Sequence, residues 1–208
     1  MFACMYHGER FNSLTHLAGT ALAIAGAAEL IGHASAQGDV WKIIAFSAFG
    51  AGLVLLYGAS TLYHSFRGRA KIVLRKIDHA AIYVLIAASY APFMLVSLRG
   101  PLGWTLFGAI WAMALYGMYR TWRRNDGGDP SPIPYLIMGW IGVTAVVPLI
   151  DKLGMEGLSW LASGGALYTA GIVFYLNDRR WRHAHGIWHL FVMGGSASHF
   201  VTVLYFVN

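Results

Sequence analysis

Two histidines lie one helical turn apart near the end of the chain, in the motif H-G-I-W-H that contains His185 and His189. Residues i and i+4 share one face of an α-helix and lie about 6 Å apart along its axis, so two imidazoles at this spacing can reach one ion. The segment is apolar enough to lie in a lipid bilayer, where polar side chains are costly and mark functional sites by default. The motif is compatible with a metal site, a proton relay, or two polar residues where a helix meets water.

Two further motifs carry polar side chains in apolar surroundings. S-T-L-Y-H contains Ser60 and His64 on one helix face, and K-I-D-H contains Asp78. Three protein ligands with a fourth position left for water are typical of a catalytic zinc site, and His64 would complete such a set with the H-G-I-W-H pair. Imidazole also binds copper, iron and nickel, so the spacing predicts a metal ion but does not identify it as zinc.

A hydrolytic site also needs a base. In the zinc-hydrolase motif H-E-x-x-H the glutamate has this role, and H-G-I-W-H has no such residue. Asp78 is the only acidic residue at this level inside a predicted membrane span. The hypothesis is that Asp78 accepts the proton of the attacking water, and that Ser60 donates a hydrogen bond to the substrate carbonyl or the oxyanion. Asp78 could instead pair with Arg75 or Lys76 at an ordinary helix start.

The composition is that of a membrane protein. Of the 208 residues, 57% are hydrophobic and 12% are charged, whereas a soluble domain has about 25% charged residues. The single cysteine, Cys4, excludes an intramolecular disulfide. A spanning helix needs roughly 20 predominantly apolar residues. Seven such stretches predict an all-α membrane domain that occupies the whole chain, with spans at about 14–33, 42–64, 77–98, 102–120, 133–151, 157–176 and 186–207.

The loops between these spans predict the orientation. Twelve basic residues fall on one side and three, Lys42, Arg99 and Lys152, on the other; the twelve are Arg10, Arg67, Arg69, Lys71, Arg75, Lys76, Arg120, Arg123, Arg124, Arg179, Arg180 and Arg182. The positive-inside rule then predicts a cytoplasmic N-terminus and an outer C-terminus. Loop charges that face anionic head groups account for the net charge of +6 without a nucleic-acid partner.

Several features leave alternatives open. The first apolar run and A-S-A at 34–36 are similar to a secretory signal with its cleavage site, although the run is long and contains Glu29. His199 lies ~20 Å beyond His185 by helical rise, too far to share an ion, and would line a polar cavity or bond another helix. Asn12 and His16 either contact the substrate or support the site, or they only pack between helices.

Prolines and polar segments predict irregular backbone. Pro92 and Pro148 predict kinks, N-D-G-G-D-P-S-P predicts a loop at 125–132 and K-L-G-M-E-G predicts another at 152–157. The remaining histidines are more typical of interfaces or core hydrogen bonds: His7, His33, His79 and His183.

The ordered set of motifs resembles the hemolysin III proteins. These belong to the progestin and adipoQ receptor family, which includes the adiponectin receptors, and the resemblance covers nearly the whole chain. It rests on N-S-L-T-H at 12–16, S-T-L-Y-H at 60–64, I-D-H-A-A-I-Y at 77–83, S-Y-A-P at 89–92, H-G-I-W-H-L-F-V at 185–192 and H-F at 199–200. It implies seven helices, a cytoplasmic N-terminus and a zinc ion near the cytoplasmic side. The ligands it implies are His64, His185 and His189, with Asp78 holding a water molecule and Ser60 close by.

The wider superfamily includes alkaline ceramidases, which implies hydrolysis of a lipid amide or ester. We therefore expect a zinc-dependent intramembrane hydrolase, in a bacterial plasma membrane, with a lipid or acyl-chain substrate. Two alternatives are a sensor of membrane state with a structural zinc and a pore-forming cytolysin. A pore would need polar residues along the full depth of several helices, whereas here they collect at one end. A structural zinc usually has four protein ligands, and only three are evident.

Overall fold

The computed structural model describes residues 8–124 and 130–208, and these residues form helices without any strand. Cys4, His7 and the first five residues of the predicted loop at 125–132 lie outside the described residues. The helices are α1 (Arg10–Gln37), α2 (Val40–Ser65), α3 (Gly68–Pro92), α4 (Pro101–Arg123), α5 (Ile133–Trp140), α6 (Val146–Leu176) and α7 (Ala184–Phe206). A π-helical turn, Phe93–Ser97, continues α3, and a 3₁₀ segment, Ile141–Ala145, joins α5 to α6.

Six helical segments of the described chain are long and apolar enough to cross a membrane. Five of them correspond one to one to predicted spans. The predicted spans 133–151 and 157–176 instead fall in one run, Ile133–Leu176, of 44 residues. The backbone of this run leaves the helical region at Gly154, with φ 68° and ψ 174°. The predicted loop at 152–157 is therefore a break of one residue inside α6.

The two prolines that predicted kinks lie beside irregular backbone. Pro92 ends the regular part of α3 and is followed by the π-helical turn, because proline has no N–H and its ring crowds the preceding turn. Pro148 lies in the first turn of α6, where a missing N–H breaks no helical hydrogen bond. The irregular backbone near Pro148 is the 3₁₀ segment Ile141–Ala145, which precedes α6.

A two-residue turn sets α1 against α2. Gly38 adopts a left-handed conformation, φ 70°, and its N–H bonds to Ser35 O. Asp39 then caps α2, accepting hydrogen bonds from the N–H groups of Trp41 and Lys42 at 2.8 and 3.1 Å. The start of α1 thus meets the end of α2, where the Ser13 and Ser65 hydroxyls lie 3.0 Å apart. We call this end of the bundle, which carries His64 and His185, the histidine end.

Polar contacts tie distant helices across the interior. The Tyr57 hydroxyl of α2 donates to Ser196 Oγ of α7 at 2.6 Å, and Tyr168 of α6 lies 2.8 Å from the same oxygen. Two residues further along α7, Ser198 donates to Trp160 O of α6 at 2.6 Å. Buried groups of this kind stabilise a fold only when they find partners, so these bonds fix the register of α6 and α7.

Tyr90 of the S-Y-A-P motif supports the junction between α5 and the 3₁₀ segment. Its hydroxyl donates to Met138 O at 2.8 Å and accepts the N–H of Gly142 at 3.0 Å. Both backbone groups belong to the region where the α-helical ladder changes to 3₁₀. The side chain therefore satisfies backbone groups that the change in helix type leaves without regular partners.

We expect Tyr90→Phe to lower the free energy of unfolding by about 1–3 kcal/mol, because the change leaves a buried carbonyl and a buried N–H without the hydroxyl. The measurement is the thermal midpoint of the purified protein in detergent. Tyr205→Phe is the matched control, since Tyr205 is 67% exposed. Equal midpoints for the two variants would contradict this account of the junction.

Candidate metal centre and adjoining cavity

Three histidines from two helices form a triangle at the histidine end. The ring centroids of His64, His185 and His189 lie 4.8 to 5.1 Å apart. One nitrogen from each ring lies within 4.8 Å of the other two, a separation that allows all three to hold one metal ion. His64 and His189 are buried, and His185 is half-buried.

Helix ends position this triangle. His64 lies in the last turn of α2, whereas His185 and His189 lie in the first two turns of α7. The i, i+4 spacing puts the α7 pair on one face, and the packing of α2 brings His64 to that face. The start of α1 lies against the same group, since the ring of His16 stacks on His189 at 3.5 Å.

Each of the three rings faces an oxygen acceptor with its Nδ1 atom. His64 Nδ1 lies 2.5 Å from Glu9 Oε2, and His185 Nδ1 lies 3.4 Å from Asp178 Oδ2. His189 Nδ1 lies 3.0 Å from Thr15 Oγ1 and 3.2 Å from the carbonyl oxygen of Asn12. Metal-binding histidines usually donate their second ring N–H in this way, which fixes the tautomer and the orientation of the ring.

The three Nε2 atoms are buried and have no hydrogen-bond partner among the described residues. A buried polar atom without a partner costs about 1–3 kcal/mol. A metal ion held by the three Nε2 atoms would remove this cost, because each atom would donate its lone pair to the ion. The residues present therefore fit a metal ion with three nitrogen ligands and an open position.

Two carboxylates outside the membrane-crossing helices stabilise this arrangement. Glu9 also accepts hydrogen bonds from Lys71 Nζ at 2.8 Å and from Asn12 Nδ2 at 2.9 Å. Burial by itself would raise the pKa of Glu9, but the bond and charge of His64, with Lys71 and Asn12, hold that pKa well below its usual range. The hydrogen bond from His185 lowers the pKa of Asp178, against the opposing effect of burial. Both groups are thus held as anions that accept from the imidazoles.

The sequence did not predict Glu9, Thr15 or Asp178 as part of the site. Acidic residues in a membrane protein stand out when they lie inside spans, whereas Glu9 immediately precedes α1 and Asp178 follows α6. A usable signal was present, because both carboxylates lie just beyond predicted spans, on the side where the histidine motifs fall.

Ser60 and Asp78 are buried next to the triangle. The Ser60 hydroxyl hydrogen-bonds the Asp78 carboxyl, and Asp78 interacts electrostatically with His185 and Arg75. Asp78 is the eleventh residue of α3 and therefore lies inside the helix and not at its start. Both residues line a cavity of about 420 Å³, so Asp78 connects the histidine triangle to this space.

The cavity is mostly apolar, and we call it the acyl cavity. Residues of α2, α3, α5, α6 and α7 line it, among them Leu56, Ile82, Leu136, Leu161 and Val192. His64, His185 and His189 lie beside this space and do not line it. His16, which stacks on His189, does line it.

The structure also locates three other residues that the sequence suggested: His199, Asn12 and His33. The Nε2 of His199 lies 3.2 Å from Leu161 O of α6, which confirms the predicted bond to another helix. His199 also lines the acyl cavity, which is mostly apolar and not the polar cavity of the other alternative. Asn12 supports Glu9 through its side chain and His189 through its carbonyl oxygen. His33 lies on the surface, 2.8 Å from the Gln37 amide.

Comparison with known proteins agrees with the motifs. The family described as haemolysin-III related matches residues 4–200. Hemolysin-3 of Bacillus cereus is 42% identical over 201 residues, which cover 96% of this chain and 91% of that protein. The Hemolysin-3 homolog of Bacillus subtilis (strain 168) is 43% identical, over 95% of this chain and 93% of that protein. Monocyte to macrophage differentiation factor of Homo sapiens is 33% identical, over 79% of this chain and 71% of that protein.

The predicted resemblance is thus confirmed over nearly the full length. The apolar helices agree with a location in a membrane, and the two Bacillus relatives are consistent with a bacterial one. The chain belongs to the haemolysin III family of multi-pass membrane proteins.

Proposed function

We propose that this protein is a zinc-dependent hydrolase that cleaves an amide or ester bond of an acyl lipid within the membrane. The observation that carries the proposal is the buried triangle of His64, His185 and His189 beside an apolar cavity that has Asp78 and Ser60 in its wall. A purely nitrogen donor set of this geometry suits zinc.

The proposal includes seven spans, with the histidine end in the cytoplasm. Gly154 divides the run Ile133–Leu176 into residues 133–153 and 155–176, each close to the ~20 residues that a span needs. The helices α1 and α7 run in the same direction, because Thr15 contacts His189 and Gly26 lies against Phe200. Parallel first and last helices require an odd number of crossings. The twelve basic residues on the histidine side then favour a cytoplasmic N-terminus.

A bound zinc ion would supply Lewis acidity, which polarises a carbonyl and acidifies a water molecule. The residues of the chain would transfer the proton, stabilise the developing charge and bind the substrate. The Asp78 carboxylate accepts the proton of the water that attacks the carbonyl carbon, and returns it to the departing amine or alkoxide. The Ser60 hydroxyl donates to the Asp78 carboxylate and orients it before the attack. Once Asp78 carries the proton of the water, the Ser60 hydroxyl is released to donate to the carbonyl oxygen, where negative charge has developed. The acyl cavity holds the chain of the substrate away from water.

A sensor of membrane state is the second candidate. The three histidines do not line the acyl cavity, which favours an ion that only joins α2 to α7. In that case a lipid in the cavity would shift helix packing without being cleaved. The two functions differ in turnover, so the experiments below separate them.

We expect about one zinc ion per chain in the detergent-purified protein, because the three Nε2 atoms supply the three protein ligands of a zinc site with an open fourth position. His64→Ala, His185→Ala and His189→Ala should each lose it, as measured by elemental analysis. His33→Ala is the control, since His33 lies on the surface. Wild-type protein without metal after zinc has been supplied would refute both candidates.

Glu9→Ala should weaken metal binding by roughly 10–100-fold, the range found when a partner of a ligating histidine is removed. Titration against a competing chelator measures this affinity. Glu29→Ala is the matched control, because Glu29 is exposed on α1. An unchanged affinity would mean that the bond between Glu9 and His64 does not orient the ligand.

Asp78→Ala should keep its metal and lose hydrolysis by roughly 10²–10⁴-fold, the usual contribution of a general base. The assay follows release of a fluorescent fatty acid from an N-acyl sphingosine and from a phospholipid. Asp151→Ala is the control, because Asp151 is exposed on α6. If the wild type binds metal but cleaves neither probe, the sensor is favoured; cleavage at the wild-type rate by Asp78→Ala would remove the proposed base.

A further inference from the structure

The acyl cavity contains a polar position well away from the histidine triangle. His199 of α7 and Tyr168 of α6 both line the cavity, and their rings meet edge to face with centroids 5.4 Å apart. His199 follows His189 on the same helix, and the intervening residues correspond to ~15 Å of helical rise. The two side chains therefore lie far along the cavity from the place where Asp78 adjoins the triangle.

His199 offers a hydrogen-bond acceptor at this position. Its Nε2 lies 3.2 Å from Leu161 O. A carbonyl oxygen only accepts, so in the neutral imidazole Nε2 carries the hydrogen and Nδ1 carries the lone pair. The Nδ1 atom is buried and has no hydrogen-bond partner among the described residues. Because a buried acceptor without a partner is costly, this atom indicates a ligand that supplies a donor.

Tyr168 offers a hydrogen-bond donor beside His199. The Tyr57 hydroxyl donates to Ser196 Oγ, and the Tyr168 hydroxyl lies 2.8 Å from the same oxygen. The contact between Ser196 and Tyr168 uses the hydrogen of only one of these two hydroxyls. When Ser196 is the donor, Tyr168 keeps its hydrogen, for which the described residues offer no acceptor. Tyr168 and His199 can thus donate one hydrogen bond and accept another.

Two glycines allow the rings to occupy these places. A Cβ atom on Gly164 would lie 2.3 Å from His199 Cδ2, and a Cβ atom on Gly195 would lie 2.9 Å from the ring of Tyr168. Both distances are too short for real carbon atoms, so neither ring could stay in position beside a larger residue. The position is therefore built by close packing of α6 against α7.

We propose that this position, which we call the hydroxyl subsite, binds a hydroxyl group partway along the acyl chain of the substrate. A hydroxyl both donates and accepts, so it matches His199 Nδ1 and the Tyr168 hydroxyl, whereas a plain hydrocarbon chain leaves both without a partner. An extended chain advances ~1.2 Å per bond, so ~15 Å of helical rise places the hydroxyl at roughly the twelfth carbon. The inference rests on the proposed function, which puts the carbonyl carbon near the triangle, and it narrows the substrate class to lipids with a hydroxylated acyl chain.

The test measures the binding of three free fatty acids to the full chain in detergent. These are stearic acid, a mid-chain hydroxy acid with its hydroxyl on the twelfth carbon of stearic acid, and an isomer with its hydroxyl on the second carbon. Each acid displaces a fluorescent fatty acid, and the displacement gives its affinity.

Two variants remove the two halves of the subsite. Tyr168→Phe removes the donor, and His199→Leu removes the acceptor. Tyr135→Phe is the matched control, because Tyr135 lines the same cavity but donates its hydroxyl to His79 O at 3.2 Å. Thermal midpoints are recorded for all three variants, and Tyr168→Phe decides the test if His199→Leu is unstable.

We expect the wild type to bind the mid-chain hydroxy acid roughly tenfold more tightly than stearic acid, the gain from about two hydrogen bonds. The isomer with its hydroxyl on the second carbon should show no such gain. Tyr168→Phe and His199→Leu should each reduce the preference to roughly threefold, whereas Tyr135→Phe should keep it.

Three results would overturn the proposal. Equal affinity of the wild type for stearic acid and the mid-chain hydroxy acid would mean that the subsite holds only water. The same gain from a hydroxyl on the second carbon, or an unchanged preference in a folded Tyr168→Phe variant, would place the recognition elsewhere. The assay needs no cleavage, so a protein that shows the preference but cleaves neither lipid probe contradicts the hydrolase and supports the subsite.

Discussion

The histidine end depends on one constraint: three imidazoles are packed into an apolar bundle, and protein oxygens face only one nitrogen of each. The Nδ1 atoms face Glu9, Asp178, Thr15 and the carbonyl oxygen of Asn12. The Nε2 atoms converge without protein partners among the described residues. Leaving a buried polar atom unpaired costs about 1–3 kcal/mol, so an ion bound to all three atoms would stabilise this end of the bundle.

A second feature is the division of the interior by α3 and α5. One face of each helix is turned to an apolar space next to Asp78, and the other to a second cavity at the same end, whose described lining includes Arg75 and Arg120. The short α5 can form this partition because the Tyr90 hydroxyl hydrogen-bonds Met138 O and Gly142 N–H, where α5 changes to the 3₁₀ segment. The helices α3 and α5 thus separate the two cavities, and the shape of both cavities depends on these two helices.

The sequence was most informative where spacing acts within one helix. The i, i+4 histidine motif and the apolar runs predicted which side chains share a face and which segments cross the membrane. It was least informative where partners come from outside those runs. Glu9 and Asp178 belong to helix-flanking segments, and no local pattern states which histidine each will meet. The predicted loop at 152–157 was too long, because a glycine with positive φ interrupts the helix within one residue, at Gly154.

Glu9 has a consequence for how distant parts of the molecule sense one another. One of its oxygens holds His64, and the other forms an ion pair with Lys71 in the first turn of α3. The same carboxylate therefore divides its negative charge between a ring of the histidine triangle and a partly exposed cation of α3. Any anion that draws Lys71 away leaves more of that charge to His64 and makes the ring a stronger electron donor. A change in the charge of the surrounding lipid would thereby reach a buried nitrogen through two hydrogen bonds, without movement of a helix.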